Sequence, residues 1–290
     1  MRITRSLLLP LVTIFFLSCS ISRIQHQGHT SPQSFYYKDN FSTIKTLIVL
    51  PLEIDGQPSR NFLFDTGADI TLVQKDTIDG KTEKIKGASG RKMELGREIV
   101  ESFKLGNIEF LNTYAWVGDF VGLKEQVPNF GGLIGQSIIN KANWLIDYPN
   151  KHIEISNQRL IDDSYEEIKI IVKAGSPYTY ITVDGNEHEA LIDLGSSSAM
   201  SIPEESKLAK DILAQHVFQV IAKESYTLGG LQNTTQQTGK LPQVKIGSFT
   251  LENVESTVKK TSQLRLGNDF FKDFILYIDG INNRYYLKKI

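Results

Sequence analysis

Apolar residues along this chain fall in short runs and alternations, not in the spacing of long helices. Leu47-Ile48-Val49-Leu50-Pro51-Leu52-Glu53-Ile54 runs into Asp55-Gly56, and Asn61-Phe62-Leu63-Phe64 then leads into Asp65. Runs rich in β-branched and aromatic residues that close on Asp-Gly predict strand, turn, strand. The phrase returns later as Tyr178-Thr179-Tyr180-Ile181-Thr182-Val183, Asp184-Gly185, and Glu189-Ala190-Leu191-Ile192 leading into Asp193. Further on, Leu105-Gly106-Asn107-Ile108 matches Ile246-Gly247-Ser248-Phe249, each a strand pair turned by a glycine.

A third landmark closes each half. Leu133-Ile134-Gly135 followed by Trp144-Leu145-Ile146-Asp147 corresponds to Arg265-Leu266-Gly267 followed by Leu276-Tyr277-Ile278-Asp279, with an offset of 132 positions in both parts. Such a repeat indicates an internal duplication. The chain therefore reads as two related lobes, about 43–160 and 165–290. The class is all-β with minor short helices, expected at Gln136 to Asn143, at Glu204 to Gln215 and after Gly267.

Each half carries one carboxylate in the same setting. Phe62-Leu63-Phe64-Asp65-Thr66-Gly67-Ala68 is an apolar strand, then D-T-G, then a small residue; its duplicate is Ala190-Leu191-Ile192-Asp193-Leu194-Gly195-Ser196. A D-T-G triplet alone is only a turn at a strand end, with glycine relaxing the backbone. Its recurrence after an apolar strand in both halves, with the apolar-apolar-Gly landmark at the same later place, is far more specific.

In these motifs the chain resembles the pepsin-like and retropepsin-like aspartic peptidases, nearest the bacterial two-lobe type with D-T-G-A. The resemblance is sharp at Phe64 to Ala68 and Gly131 to Gly135 and looser around Asp193. It implies two β-barrel-like lobes related by a pseudo-twofold axis, with a cleft between them and Asp65 and Asp193 as the catalytic pair. It further implies that Thr66 grips the opposite loop through its hydroxyl, that Gly67, Ala68, Gly195 and Ser196 shape the two loops, and that Ser196 bonds the outer oxygen of Asp193. Leu194 departs from the Thr or Ser expected there and removes one of two reciprocal hydroxyl contacts, a loss of about 0.5–1.5 kcal/mol.

Paired carboxylates suit peptide hydrolysis because the reaction needs a base for water and an acid for the carbonyl oxygen together. Two carboxyls at close range cannot both ionise and share a proton, so activity is expected at acidic to mildly acidic pH. Each lobe should also carry a hairpin over the cleft. Gly87-Ala88-Ser89-Gly90 reads as a flap tip in the first lobe, while the second-lobe interval is longer and holds Tyr226, Gly229-Gly230 and a solvated run from Gln232 to Gln237.

Other chemistries find little support. His152, His188 and His216 are scattered without H-E-x-x-H spacing, and Ser137 lacks a nucleophile-elbow context. No metal and no cofactor are expected. Trp116 and Trp144 read as core. With 32 basic and 33 acidic residues the chain has no charge footprint for nucleic acid.

The beginning of the sequence has its own character. Arg2 and Arg5 precede an apolar run from Leu7 to Leu17, the length of a signal h-region and too short to span a bilayer. Phe16-Leu17-Ser18-Cys19 then resembles a lipoprotein processing site, with residues 1–18 as signal peptide and Cys19, the sole cysteine, as the lipidated residue. Residues 19–42, with His26 and His29, read as a flexible tether. The expectation is an exported, membrane-anchored monomer acting on a peptide or protein, as an aspartic endopeptidase or as a non-catalytic lipoprotein that holds extended peptides in the same cleft.

Overall fold

The structure is a computed structural model that describes residues 24–86, 92–227 and 230–290. Two closed six-stranded barrels dominate it. The first is built from β1 (Leu47–Ile54), β2 (Arg60–Phe64), β3 (Thr71–Gln74), β4 (Lys92–Leu105), β5 (Ile108–Gly118) and β6 (Phe130–Ile134). Its ring runs β1-β2-β6-β3-β5-β4 and closes on β1.

The second barrel uses β7 (Ser176–Val183), β8 (Asn186–Ile192), β9 (Met200–Pro203), β10 (Gly230–Ile246), β11 (Phe249–Lys259) and β12 (Arg265–Leu266). Its ring runs β7-β8-β12-β9-β11-β10, the same order, and closes on β7. Parallel and antiparallel pairings also fall at corresponding places, so the sequence repeat is a repeat of topology. Along β7 every second residue is buried, the pattern of a strand with one face on a core. The Asp-Gly turns take left-handed backbone at Asp55 and Gly56 and again at Asp184 and Gly185. Asp184-Gly185 alone connects β7 to β8, whereas residues 57–59 lengthen the first hairpin.

A third sheet joins the lobes. The strand Asn143–Asp147 ending the first lobe pairs antiparallel with Phe274–Asp279 ending the second, and Leu145 faces its own duplicate Tyr277. A strand facing its copy at equivalent residues is what a twofold axis requires. Trp144 is fully buried there against Phe64 and Phe110, which ties the joining sheet to the first barrel.

The tether reading of residues 19–42 is corrected over the described part. From Ile24 onward the segment is packed: His29–Ser31 pairs with β5, Tyr36–Asn40 extends the joining sheet against His152–Ser156, and Ser42–Ile44 pairs with β1. Phe35 and Phe41 are each 5% exposed. Widely spaced aromatics among polar residues are enough to pin an edge strand, although they show no obvious period.

Among the described residues, besides helical residues 24–25, helix is found at α1 (Val121–Lys124), α2 (Gln136–Ile139), α3 (Lys207–Gln215) and a 3-10 turn at Asn268–Phe270. The expected helices after Gly135 and near Glu204 are thus shorter than their sequence windows. Ser206 sets the start of α3 by accepting a hydrogen bond from the Ala209 amide at 3.1 Å. Among the described residues no helix is long and apolar enough to cross a membrane.

Candidate active site

The strands β2 and β8 each end at an aspartate and feed a tight loop held by the strand beside it. The Asp65 amide donates to Ile134 O at 3.0 Å, and the Asp193 amide donates to Leu266 O at 2.9 Å. One residue past each landmark glycine, an amide side chain closes the loop. Gln136 Nε2 donates to Thr66 O at 2.8 Å, and Asn268 Nδ2 donates to Leu194 O at 2.5 Å. The backbone amides of the same two residues reach Ala68 O and Ser196 O, both at 2.9 Å. Each loop is therefore fixed at corresponding carbonyls, which leaves little freedom in where its carboxyl points.

The two loops meet. A side chain on Gly195 would put its first carbon 2.4 Å from Asp65 Cγ, and one on Gly67 would lie 2.8 Å from Asp193 Oδ1. Only glycine lets the opposite carboxylates approach this closely. Asp65 and Asp193 stand within hydrogen-bonding reach of one another, and Gly67 N donates to Asp65 Oδ1 at 2.9 Å.

Burial and then the negative charge of Asp193 push Asp65 up to about 7, against the opposing pull of the Gly67 N–H and of Arg265. Asp193 is 6% exposed. Its Oδ2 accepts from Arg265 Nη1 at 2.9 Å, an ion pair within the site. The guanidinium stands against Asp193 and not against Asp65, so the two carboxyls of the pair have unlike surroundings.

Thr66 is fully buried, and its hydroxyl reaches across the axis. It donates to Ile192 O at 2.7 Å and accepts from the Leu194 amide at 3.0 Å. Leu194 sends no hydroxyl back; its side chain is fully buried in the hydrophobic core. The grip is one-sided and packing takes the place of its second half.

Ser196 requires a correction. Its hydroxyl lies 3.5 Å from Ser198 Oγ, which in turn accepts from Ser201 at 3.2 Å, and the outer oxygen of Asp193 is taken by Arg265 instead. A guanidinium outcompetes a neutral hydroxyl for a buried carboxylate. Ala68, the first-lobe counterpart, serves the loop through its backbone: its amide donates to Asp65 O at 3.3 Å.

Gly87, Ala88, Ser89 and Gly90 lie outside the described residues, as does Cys19. Tyr226 lies in the strand Phe218–Thr227, whose partner is β10. This long second-lobe hairpin packs against α1 of the first lobe, so it bridges the two lobes. Among the described residues no cluster of three or more His, Cys, Asp or Glu is placed to hold a metal.

Sequence reasoning missed Arg265, Gln136 and Asn268. The signal was present in the duplication offset, since Gln136 and Asn268 are register equivalents of matching chemistry and Arg265 stands where the first lobe has Leu133.

A family model described as aspartyl protease matches residues 50–138. The match spans most of the first barrel with Asp65, Thr66, Gly67 and Gln136, and it supports aspartyl protease-type chemistry for the chain. A search of curated proteins finds no match.

Proposed function

We propose that the chain is an aspartic-type endopeptidase that hydrolyses peptide bonds of exported peptides or proteins through water activated by Asp65 and Asp193. The observation that carries this reading is the convergence of two carboxyls from duplicated loops, each loop braced at the same carbonyls. In this reading Asp193, held by Arg265, takes a proton from the attacking water while Asp65 donates its proton to the scissile carbonyl oxygen. The tetrahedral diol then collapses: Asp193 passes the proton it took to the leaving amine nitrogen, the C–N bond breaks, and Asp65 takes a proton back from a diol hydroxyl as the new carboxyl forms. Loss of the Asp65 proton near pH 7 sets the alkaline limit of activity.

The test is cleavage of a mixed peptide library between pH 3 and 8 by the folded protein and by Asp65→Asn and Asp193→Asn. Each substitution is expected to lower kcat by about 10³-fold or more. Full activity in either variant would end the reading.

The one-sided grip and the Arg265 contact favour one second reading, a two-lobe protein that holds extended peptides without cutting them. Binding of library peptides by wild-type protein without cleavage at any pH would select it. A lipid on Cys19 is proposed to hold the single-chain protein at a membrane outside the cytoplasm. Labelled fatty acid incorporated by wild type and absent from Cys19→Ser supports that placement.

A further inference from the structure

The duplication lets the two faces that flank the dyad be compared position by position. In the first lobe Leu133 pairs with Leu72, Leu72 with Trp116, and Leu95 lies on the same face two residues from the partner of Trp116. Met93 and Ile85 face each other further out. These six side chains belong to one apolar cluster, which residues 119–129 cover with Phe120, Leu123 and Val127.

The second lobe has the same pairings with different chemistry. Arg265 pairs with Ser201, Ser201 with Thr257, and Thr257 with Thr238, two residues from Gln236. Lys223 faces Thr234 in the position of Ile85 and Met93, and Lys259 follows Thr257 on the same face. Leu, Leu, Trp and Leu are thus replaced by Arg, Ser, Thr and Gln. The connection corresponding to 119–129 is only 260–264 and carries no helix.

This face carries donors without acceptors. Arg265 Nε and Gln236 Nε2 are buried and have no hydrogen-bond partner among the described residues, and Gln236 is only 4% exposed. Lys259 has no ion-pair partner among the described residues. Burial, with the like charges of Arg265 and Lys223, pushes the Lys259 ammonium below its ordinary range, against a smaller pull from Asp193. Buried donors left unpaired cost free energy until an acceptor arrives, and clustered cations select a negative one.

We infer that the second-lobe face formed by Arg265, Lys259, Lys223 and Gln236 is a subsite for a carboxylate of the substrate, placed beside Asp193. The inference rests on the peptidase reading for its position next to the scissile bond, and on the unpaired donors for its charge preference. Arg265 serves both partners: Nη1 holds Asp193 while Nε remains free for the substrate group. The carboxylate belongs either to a Glu or Asp side chain or to the end of a peptide. On the first-lobe face the apolar cluster is covered, and the guanidinium beside it, Arg97 over Trp116, is already paired with Glu83.

The experiment uses peptide sets identical except for Glu, Gln or Lys at each position flanking the cleaved bond, each made with a free and an amidated carboxyl end. Glu is expected to exceed Gln by about tenfold in kcat/KM on one side of the bond only, and more at low salt. An advantage that follows the free end instead identifies the carboxyl terminus as the source. Lys259→Glu should reverse the order so that Lys exceeds Glu, and Lys223→Glu on the exposed hairpin should move the ratio the same way by a smaller factor. Cleavage that is indifferent to Glu, Gln and chain end overturns the subsite and leaves the peptidase reading standing. Without cleavage, the same peptides are titrated against Asp65→Asn by fluorescence anisotropy. Tighter binding of Glu than Gln, lost in Lys259→Glu, keeps the subsite while the peptidase reading falls; equal affinities overturn it.

Discussion

The two lobes share their backbone and differ in what that backbone presents to the cleft. Both close a six-stranded ring in one order, both place an aspartate at the same strand end, and both brace its loop with an amide one residue past a glycine. The side chains around the two aspartates then part company. The first lobe has a gripping hydroxyl and an apolar flank; the second has a buried Leu194 where the hydroxyl would be and an arginine on its carboxylate. Positions set by backbone geometry kept their chemistry through the duplication, whereas positions that face the partner carboxyl or the substrate diverged. A dyad made of unlike halves needs no proton shared symmetrically, since its surroundings decide which member is ionised.

Arg265→Leu puts the first-lobe residue into the second and tests that idea most severely. Removing one member of a buried ion pair costs about 3–5 kcal/mol in stability at neutral pH, read by denaturant unfolding. Looser placement of Asp193 should lower kcat on the order of 10²-fold. The sign of the pH effect is fixed by charge. Arg265 favours the ionised form of Asp65, so without it Asp65 keeps its proton to higher pH, and the alkaline limb near 7 moves up by about one unit. A limb that stays in place or moves down would show that Arg265 does not govern the dyad.

What the sequence revealed and what it hid divide along the same line. The turn residues Asp55-Gly56 and Asp184-Gly185 and the landmark glycines were legible because backbone geometry restricts which residues can stand there, and Asp65 and Asp193 because each follows an apolar strand and precedes a loop glycine in both halves. Arg265 was hidden because a lone arginine in an apolar-apolar-Gly triplet looks like a worn copy of the motif until its partner across the loop is seen. Ser196 misled for the opposite reason: it sits where a hydroxyl is expected, but a stronger donor reaches the carboxylate first. The packed segment from Ile24 to Phe41 was read as a tether because Phe35 and Phe41 meet their partners far along the chain, in strands that local composition does not mention.

The grip gives the next largest expected effect. Thr66→Val leaves the Ile192 carbonyl and the Leu194 amide without partners in a buried place, at about 1–3 kcal/mol for each group. Leu194→Thr supplies the missing hydroxyl but removes a fully buried apolar side chain, so it too should destabilise, by about 2 kcal/mol. Thermal or denaturant unfolding of both variants decides the matter. A Leu194→Thr protein more stable than wild type would mean that the second lobe lost a grip and gained no packing in return, and the two halves would then be alike in design and unequal only by decay.

The smallest difference expected is between the two bracing amides, and it measures how far the likeness of the loops extends. Gln136→Ala frees the Thr66 carbonyl, a buried acceptor, and should cost about 1 kcal/mol. Asn268 does more: it reaches Ser196 O at 3.3 Å as well as Leu194 O, and its own Oδ1 accepts from Tyr148 at 2.8 Å, the tyrosine that follows the joining-sheet strand. Asn268→Ala should therefore cost about 2 kcal/mol, and it should loosen Asp193 against the joining sheet. Activity sharpens the comparison, because the loop of Asp193 has no returning hydroxyl and leans harder on its amide. The kcat loss in Asn268→Ala is expected to exceed that in Gln136→Ala by several-fold, and equal losses would show that the one-sided grip leaves both carboxyls equally well held.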